Sequence, residues 1–391
     1  MNFDQLTRYL DSLQETFGIP AVDCKITLGY NTVYRHSAGF ADAARTRPIT
    51  PDDLYNIYSA TKVVTVTAAM QLCEQGRLNL NDRLDTYLPE FADMVYADAF
   101  PLGQFPIRWP TRQDELRKAQ NPIRILDLFR MSAGMSYDTE SAEIKAVQRA
   151  TNQQATTREV MKALAAMPLL YEPGTRWAYS LSHDVLGGLI EGISGETLGE
   201  YLRNHLFAPL GIQDMYFTLD ESHQARLSAQ YGADFETHAI GPVPQTNRYR
   251  LTDAYESGGA GLACTVDAYS LFVEALCNGG VGRSGKRILT LDSINELRKN
   301  RLDTQMLTDF SMAGKTGYGY GLGLRTLLDA SASKSPVGEF GWDGAAGAFV
   351  LIDPENRLGI FLAEHVLGLI ENYHIVHPTI RDLAYEAVLG R

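Results

Sequence analysis

Cysteine is scarce in this chain, four residues among 391, and the four (Cys24, Cys73, Cys264 and Cys277) stand far apart with no C-x-x-C spacing. That excludes a dense disulfide framework and a cysteine-based zinc site, and predicts buried free thiols in a reducing compartment. Positive charge is in deficit as well. There are 35 Lys and Arg against 47 Asp and Glu, a formal net charge of -12. A chain of that sign argues against nucleic acid or an anionic membrane as partner. Long apolar runs are also missing: no window approaches the roughly 18 residues of a membrane span. The opening residues Met1–Leu6 have neither a basic segment nor a continuous apolar one. They begin an amphipathic helix (Phe3, Leu6, Tyr9, Leu10, Leu13) and not a signal peptide, so a cytoplasmic location is expected. Internal repeats and low-complexity segments are absent. What remains, 45% hydrophobic and 21% charged residues, is ordinary for a folded protein. The length exceeds what one core usually supports and predicts two lobes.

Strand signals gather at the two ends of the chain. Cys24–Leu28 and Thr32–Arg35 flank the turn Gly29-Tyr30-Asn31, a hairpin pattern, and the last third offers Tyr318–Leu324, Phe349–Ile352 and Leu358–Leu362. Helical patterns lie between, at Ile125–Met131, Thr157–Ala166, His183–Ser194, Leu198–Leu206 and Asp267–Asn278, and a last one runs from about Pro378 to Leu389. The economical arrangement is an α+β protein. Residues 1–58 and 258–391 would form a lobe with one antiparallel sheet flanked by terminal helices. Residues 59–257 would form a mainly helical second lobe. Tyr87–Pro122 is irregular and rich in proline and aromatics; its Tyr87–Trp109 part reads as packing and rim.

The most informative stretch is Ser59-Ala60-Thr61-Lys62, at the start of an apolar helix expected from about Ser59 to Gln75 and closed by Gly76. Positions i and i+3 share a helix face, so the Lys62 amine can reach the Ser59 hydroxyl. At a helix N-terminus, free backbone N–H groups favour developing negative charge. Serine with lysine three residues on is the nucleophile-and-amine pair of acyl-serine enzymes. Other motifs carry less. His183-Asp184 beside Ser180 and Ser182 suggests a triad, but adjacent residues seldom converge on one atom, and a helix start is the better reading. His374-x-x-His377 lacks a third ligand, and the glycines of Gly319–Gly323 alternate along a strand instead of opening a helix. No metal and no cofactor is expected.

Ordered stretches accompany Tyr58–Lys62: Ala38–Asp42, Glu74–Leu80, Tyr87–Phe91, Ile125–Met135, Pro173–Ser180, Ser257–Leu262 and Tyr320–Leu324. Through them the chain resembles, over nearly its whole length, the class C-type serine β-lactamases with their esterase and penicillin-binding branches. The resemblance implies the β-lactamase/penicillin-binding fold and makes Tyr179 the tyrosine that works with Lys62 on the Ser59 proton. Two segments compete for the third motif, K-T-G or H-x-G. Lys315-Thr316-Gly317 spells it literally but precedes a strand that comes before the motif in the family. Trp342-Asp343-Gly344, ahead of the strand ending Ile352-Asp353-Pro354, is taken as the element, and Lys315 as a turn residue matching by chance. The backbone N–H groups of Ser59 and Ala345 then form the oxyanion hole. Leu181 replaces an asparagine that touches substrate and lysine, and Trp342-Asp343 replaces a pair that often receives a substrate carboxylate. Trp342, Asp343, Gly344 and Leu181 are accordingly expected to border the substrate.

The resulting expectation is a serine hydrolase forming an acyl-enzyme on Ser59, esterase-like on small neutral acyl substrates, with Asp343 repelling carboxylates. Two alternatives stay open: a β-lactamase or D-amino-acid peptidase, and a catalytically weak binding protein of the same fold. The partner is a small-molecule substrate. The oligomeric state is not legible.

Overall fold

Both ends of the chain build one sheet. The computed structural model describes residues 1–98, 107–234, 236–237, 239–312 and 314–390; residues 99–106 of the aromatic loop lie outside them. Helix α1 (Asp4–Phe17) leads into strands β1 (Ala21–Leu28) and β2 (Asn31–Gly39), which pair antiparallel as the predicted hairpin. Helix α2 (Thr61–Glu74) follows, then α3 (Ser182–Ser194) and α4 (Val266–Cys277). The last third supplies β3 (Tyr318–Tyr320), β4 (Arg325–Leu327), β5 (Phe340–Gly341), β6 (Phe349–Asp353), β7 (Leu358–Ala363) and helix α5 (His377–Leu389). In space the seven strands run β3-β4-β5-β6-β7-β1-β2, every neighbouring pair antiparallel. This is the expected α+β architecture.

Each face of the sheet is covered, which explains why β6 and β7 read as continuous apolar runs without alternation. Successive side chains of a strand point to opposite faces. Phe349 and Leu351 of β6, with Leu358, Ile360 and Leu362 of β7, pack with Leu6, Leu10 and Leu13 of α1 and Ile380, Ala384 and Tyr385 of α5. Val350, Ile352, Phe361 and Ala363 belong to the other core, with Tyr269, Phe272 and Val273 of α4 and the side chains of α2 and α3. The β-branched run of α2 is tolerated in a helix because every residue from Thr61 to Leu72 is buried, so packing overrides propensity. Two of its threonines donate to backbone carbonyls, Thr65 Oγ1 to Gly258 O at 2.7 Å and Thr67 Oγ1 to Val63 O at 2.8 Å, and Thr61 Oγ1 accepts from Leu262 N–H at 3.1 Å.

One strand differs from expectation. Tyr318–Leu324 is not continuous; it is β3 followed by a turn into β4, which pairs back on it. At the break Leu322 N–H donates to Leu297 O at 2.9 Å and Gly321 N–H to Leu324 O at 2.8 Å, and the backbones come so close that a Cβ on Gly321 would stand 2.1 Å from Leu297 O. Helices at Ala142–Ala150, Leu291–Arg298 and Thr304–Ser311 were not anticipated. No helix among the described residues is long and apolar enough to cross a membrane.

Candidate active site

Ser59 sits in a 3₁₀ turn, Tyr58–Ala60, that runs directly into α2. The residue before it, Tyr58, has φ +45°, an uncommon conformation for a side chain of that size. A backbone outlier of this kind must be held by its surroundings. Tyr58 is held at its far end, where its hydroxyl donates to Gln230 Oε1 at 2.6 Å. Ser59 is 8% exposed, enough to meet a substrate from one side only.

Two groups converge on Ser59 Oγ: the Tyr179 hydroxyl at 2.6 Å and Lys62 Nζ at 3.3 Å. The lysine also reaches Tyr137 OH at 3.1 Å and Gly259 O at 2.7 Å. Among the described residues no carboxylate is bonded to it. Burial therefore dominates and pushes the amine down to about 7, against a weaker upward pull from Asp184. Tyr137 and Tyr179 lie parallel, 5.1 Å between ring centroids, with the amine 4.9 Å and 4.7 Å from the two rings. Burial moves both phenols upward, so they stay protonated.

Tyr179 is carried on a loop pinned from below. The Arg176 guanidinium forms a bidentate pair with Asp309 at 2.8 and 2.7 Å, and Trp177 N–H donates to the same carboxylate at 3.1 Å. From the opposite wall, Trp342 Nε1 donates to Tyr179 OH at 3.1 Å with the rings stacked at 5.6 Å. An indole N–H can only donate, so the phenol oxygen accepts there and its single hydrogen is left for Ser59.

Gly259, whose carbonyl accepts from Lys62, is fixed by Asp184. Asp184 Oδ1 accepts from Tyr255 OH at 2.7 Å, Ser257 Oγ at 2.6 Å and Gly259 N–H at 3.3 Å. A Cβ on Gly259 would stand 2.3 Å from the other Asp184 oxygen, which explains the glycine in this small-residue strip. Asp184 is thus a second layer behind the lysine. His183 takes no part. Its Nε2 faces Phe129 O at 3.1 Å and burial lowers it to about 3, so the ring is neutral.

Of the residues singled out in the sequence, Ser59, Lys62, Tyr179 and Trp342 meet at one point. Gly344 presses on the segment before Ser59, where a Cβ would stand 2.3 Å from Ile57 O, and the next residue, Ala345, is partly buried. Three expectations need correction. Leu181 does not border a substrate: it is 2% exposed and packs in the main core, as the N-cap residue just before α3. Tyr137 bonds the lysine instead; no periodic pattern marked it, and the stretch Ile125–Met135, which carries part of the family resemblance, ends two residues before it. Asp343 follows Trp342 on a strand-like segment and so points to the opposite face. There it meets Lys315 Nζ at 2.5 Å, His377 Nδ1 at 3.4 Å and Arg325 Nη1 at 3.9 Å. Burial would raise the Asp343 carboxyl, but Lys315 and Arg325 outweigh it and hold the group well below its ordinary range. Its charge is neutralised away from the serine. Lys315 is, correspondingly, no idle turn residue but the partner of Asp343.

With this geometry in place, comparison decides the family. A family model described as Beta-lactamase matches residues 6–383. The chain belongs to the beta-lactamase family. It is a serine hydrolase of that family. Protein Rv1367c of Mycobacterium tuberculosis is 31% identical over 84% of this chain and 81% of its own length. The lovastatin esterase of Penicillium rubens is 27% identical, covering 86% of each. Among solved structures, EstCE1, described as a hydrolase with promiscuous acyltransferase activity, superposes with a TM-score of 0.78 at 22% identity over 98% of each chain. Unliganded simvastatin synthase from Aspergillus terreus, a selenomethionyl derivative, gives 0.80 at 19% over 100% of each. At those identities the two structures speak for the beta-lactamase fold.

Proposed function

We propose that this protein is an esterase that works through an acyl-enzyme on Ser59 and prefers small, uncharged acyl groups. The observation that carries the proposal is the meeting of Tyr179 OH and Lys62 Nζ on Ser59 Oγ, at 2.6 and 3.3 Å, with the amine lowered to about 7. A neutral lysine amine has two N–H groups and one lone pair. It can donate to Gly259 O and Tyr137 O while its lone pair accepts the Ser59 hydroxyl hydrogen. Hydrogens then run one way, from Trp342 N–H to Tyr179 O–H to Ser59 O–H to Lys62.

In acylation, Ser59 Oγ attacks the ester carbonyl carbon as its proton passes to Lys62. The oxygen that becomes negative lies toward the Ser59 and Ala345 N–H groups; correctly aimed donors of this kind supply roughly 3–4 kcal/mol. The carbon–oxygen bond to the alcohol breaks, and the alkoxide leaves as alcohol with a proton delivered through Tyr179. Water repeats the steps on the acyl-enzyme and releases the acid. Positioned proton transfer contributes typically 10²–10⁴-fold.

The preference for neutral acyl groups rests on Trp342, whose indole offers no cation to a carboxylate, and no longer on Asp343. The names of relatives lean the same way: besides the lovastatin esterase, an esterase EstB of Burkholderia gladioli is 24% identical over 84% of this chain. The free state of all four cysteines suits a reducing compartment. Turnover of short-chain p-nitrophenyl esters, with covalent labelling of a Ser59 peptide by a fluorophosphonate that is lost in Ser59→Ala, tests the proposal. Turnover of penicillins in preference to esters would place the protein with the β-lactamases instead; labelling of a different serine would end the mechanism.

A further inference from the structure

Behind the loop that carries Trp342, on the face of the sheet away from Ser59, a cavity of about 320 Å³ lies between β3, β4 and the start of α5. Its walls include three basic side chains, Lys315, Arg325 and Arg381, and two histidines, His374 and His377, while Asp343 is the one carboxylate among the described residues that line it. Glu339 stands further back, accepting from Tyr318 OH at 2.7 Å. In a chain of net charge -12 such a concentration of positive groups is not what an average surface would place there. We propose that this cavity is a binding site for a small anion bearing a carboxylate or phosphate group, separate from the nucleophile's cleft.

The donors are already in place and not all are used. Arg325 is 3% exposed, and its Nη1 has no hydrogen-bond partner, the nearest carboxylate oxygen standing 3.9 Å away. Its Nη2 is spent on Val350 O at 3.1 Å. A buried guanidinium N–H left unpaired is costly, and guanidinium geometry suits planar or tetrahedral oxyanions. Lys315, which lines the cavity, gives one hydrogen to Asp343 and its side chain is 17% exposed; an ammonium has two further N–H donors. Arg381 is occupied by Asp382 at 2.8 Å, Tyr318 OH at 2.9 Å and Ala332 O at 3.4 Å, and contributes its charge from the wall. The volume admits a compact organic acid or a phosphate, not a polymer.

The test is calorimetric titration of the full chain with inorganic phosphate and, separately, with malonate, at an ionic strength held constant by chloride. One saturable site is expected, together with a rise in melting temperature; the two arms tell which oxyanion geometry fits. Lys315→Gln should weaken binding at least tenfold. His374→Glu, at an exposed position on the cavity rim, should do the same by adding a negative charge, with ester turnover in the absence of anion unchanged. These readouts do not depend on Ser59 chemistry, so they stand or fall independently of the esterase proposal. Heats no larger than those of chloride, or binding undiminished in both variants, would overturn the site.

Discussion

Two lysines of this chain stand in sequences that spell motifs of acyl-serine enzymes, and their surroundings could hardly differ more. Lys62 is enclosed by a serine hydroxyl, a tyrosine hydroxyl, a carbonyl and two aromatic rings, with no carboxylate among the described residues bonded to it. Lys315 is paired with Asp343 and close to the Tyr373 ring on the other face of the sheet. Desolvation outweighs the pull of Asp184 and pushes the first amine down to about 7, whereas the second is held in a salt bridge with Asp343. Motif letters alone do not separate them. Neighbours do.

The comparison breaks most easily on turnover. Lys62→Ala and Tyr179→Phe should each lower kcat/KM for a p-nitrophenyl ester by about 10³ or more, and the double variant by little more than either, because groups that act as a unit are non-additive. Lys315→Ala should stay within a few-fold of the parent. Full additivity, or a collapse of activity in Lys315→Ala, would show that the roles have been assigned to the wrong lysine.

The pH profile sharpens it further. Lys62 carries a proton below about pH 7 and loses it above, so the base is available only on the alkaline side. The kcat/KM of the free enzyme should therefore rise about tenfold per unit below pH 7 and level off beyond it. Tyr179 is displaced upward by burial and should add no falling limb below pH 10. A rate that is flat between pH 5 and 8 would mean that Lys62 is not the base.

The unequal legibility of the two sides of the site follows from the same physics. Ser59 and Lys62 are joined by helical spacing, a local geometry that four consecutive letters carry, and the motif around Tyr179 is contiguous too. The direction of Asp343 was hidden because it depends on strand alternation set by the sheet register, and because its partner Lys315 lies 28 positions away in sequence. Tyr137 was hidden for a like reason: it reaches Lys62 across 75 positions, from a segment with no periodicity. The sheet order was legible in outline since strand patterns cluster at both ends. The break between β3 and β4 was not, because there the chain bonds the backbone of Leu297.

A smaller effect is expected on the strand side of the site. Trp342→Phe keeps the apolar wall but removes the donor to Tyr179 OH at 3.1 Å. One hydrogen bond of ordinary net strength, about 1 kcal/mol, corresponds to a loss in kcat of roughly five- to tenfold. Titration of the residual activity should keep its midpoint near pH 7, since Lys62 is untouched. A loss as large as that of Tyr179→Phe would mean that the indole does more than orient the phenol.

The smallest effect on selectivity is predicted for Asp343, the residue first assigned a repulsive role. Were it facing the cleft, replacing it would relax discrimination against substrates that carry a carboxylate. Its side chain instead lies 2.5 Å from Lys315 Nζ, behind the strand segment that carries Trp342, and its charge is cancelled there. The ratio of turnover for a neutral short-chain ester and a matched penicillin should therefore be the same, within about twofold, in the parent and in Asp343→Asn. Stability should respond, because removing one partner of a buried pair leaves Lys315 and Arg325 uncompensated, at a cost on the order of 3 kcal/mol. A variant that melts lower yet keeps its substrate ratio places Asp343 with Lys315 in the scaffold. A variant that melts as the parent does and accepts penicillins more readily would return it to the cleft, and the division between the two lysines would fail at its second member.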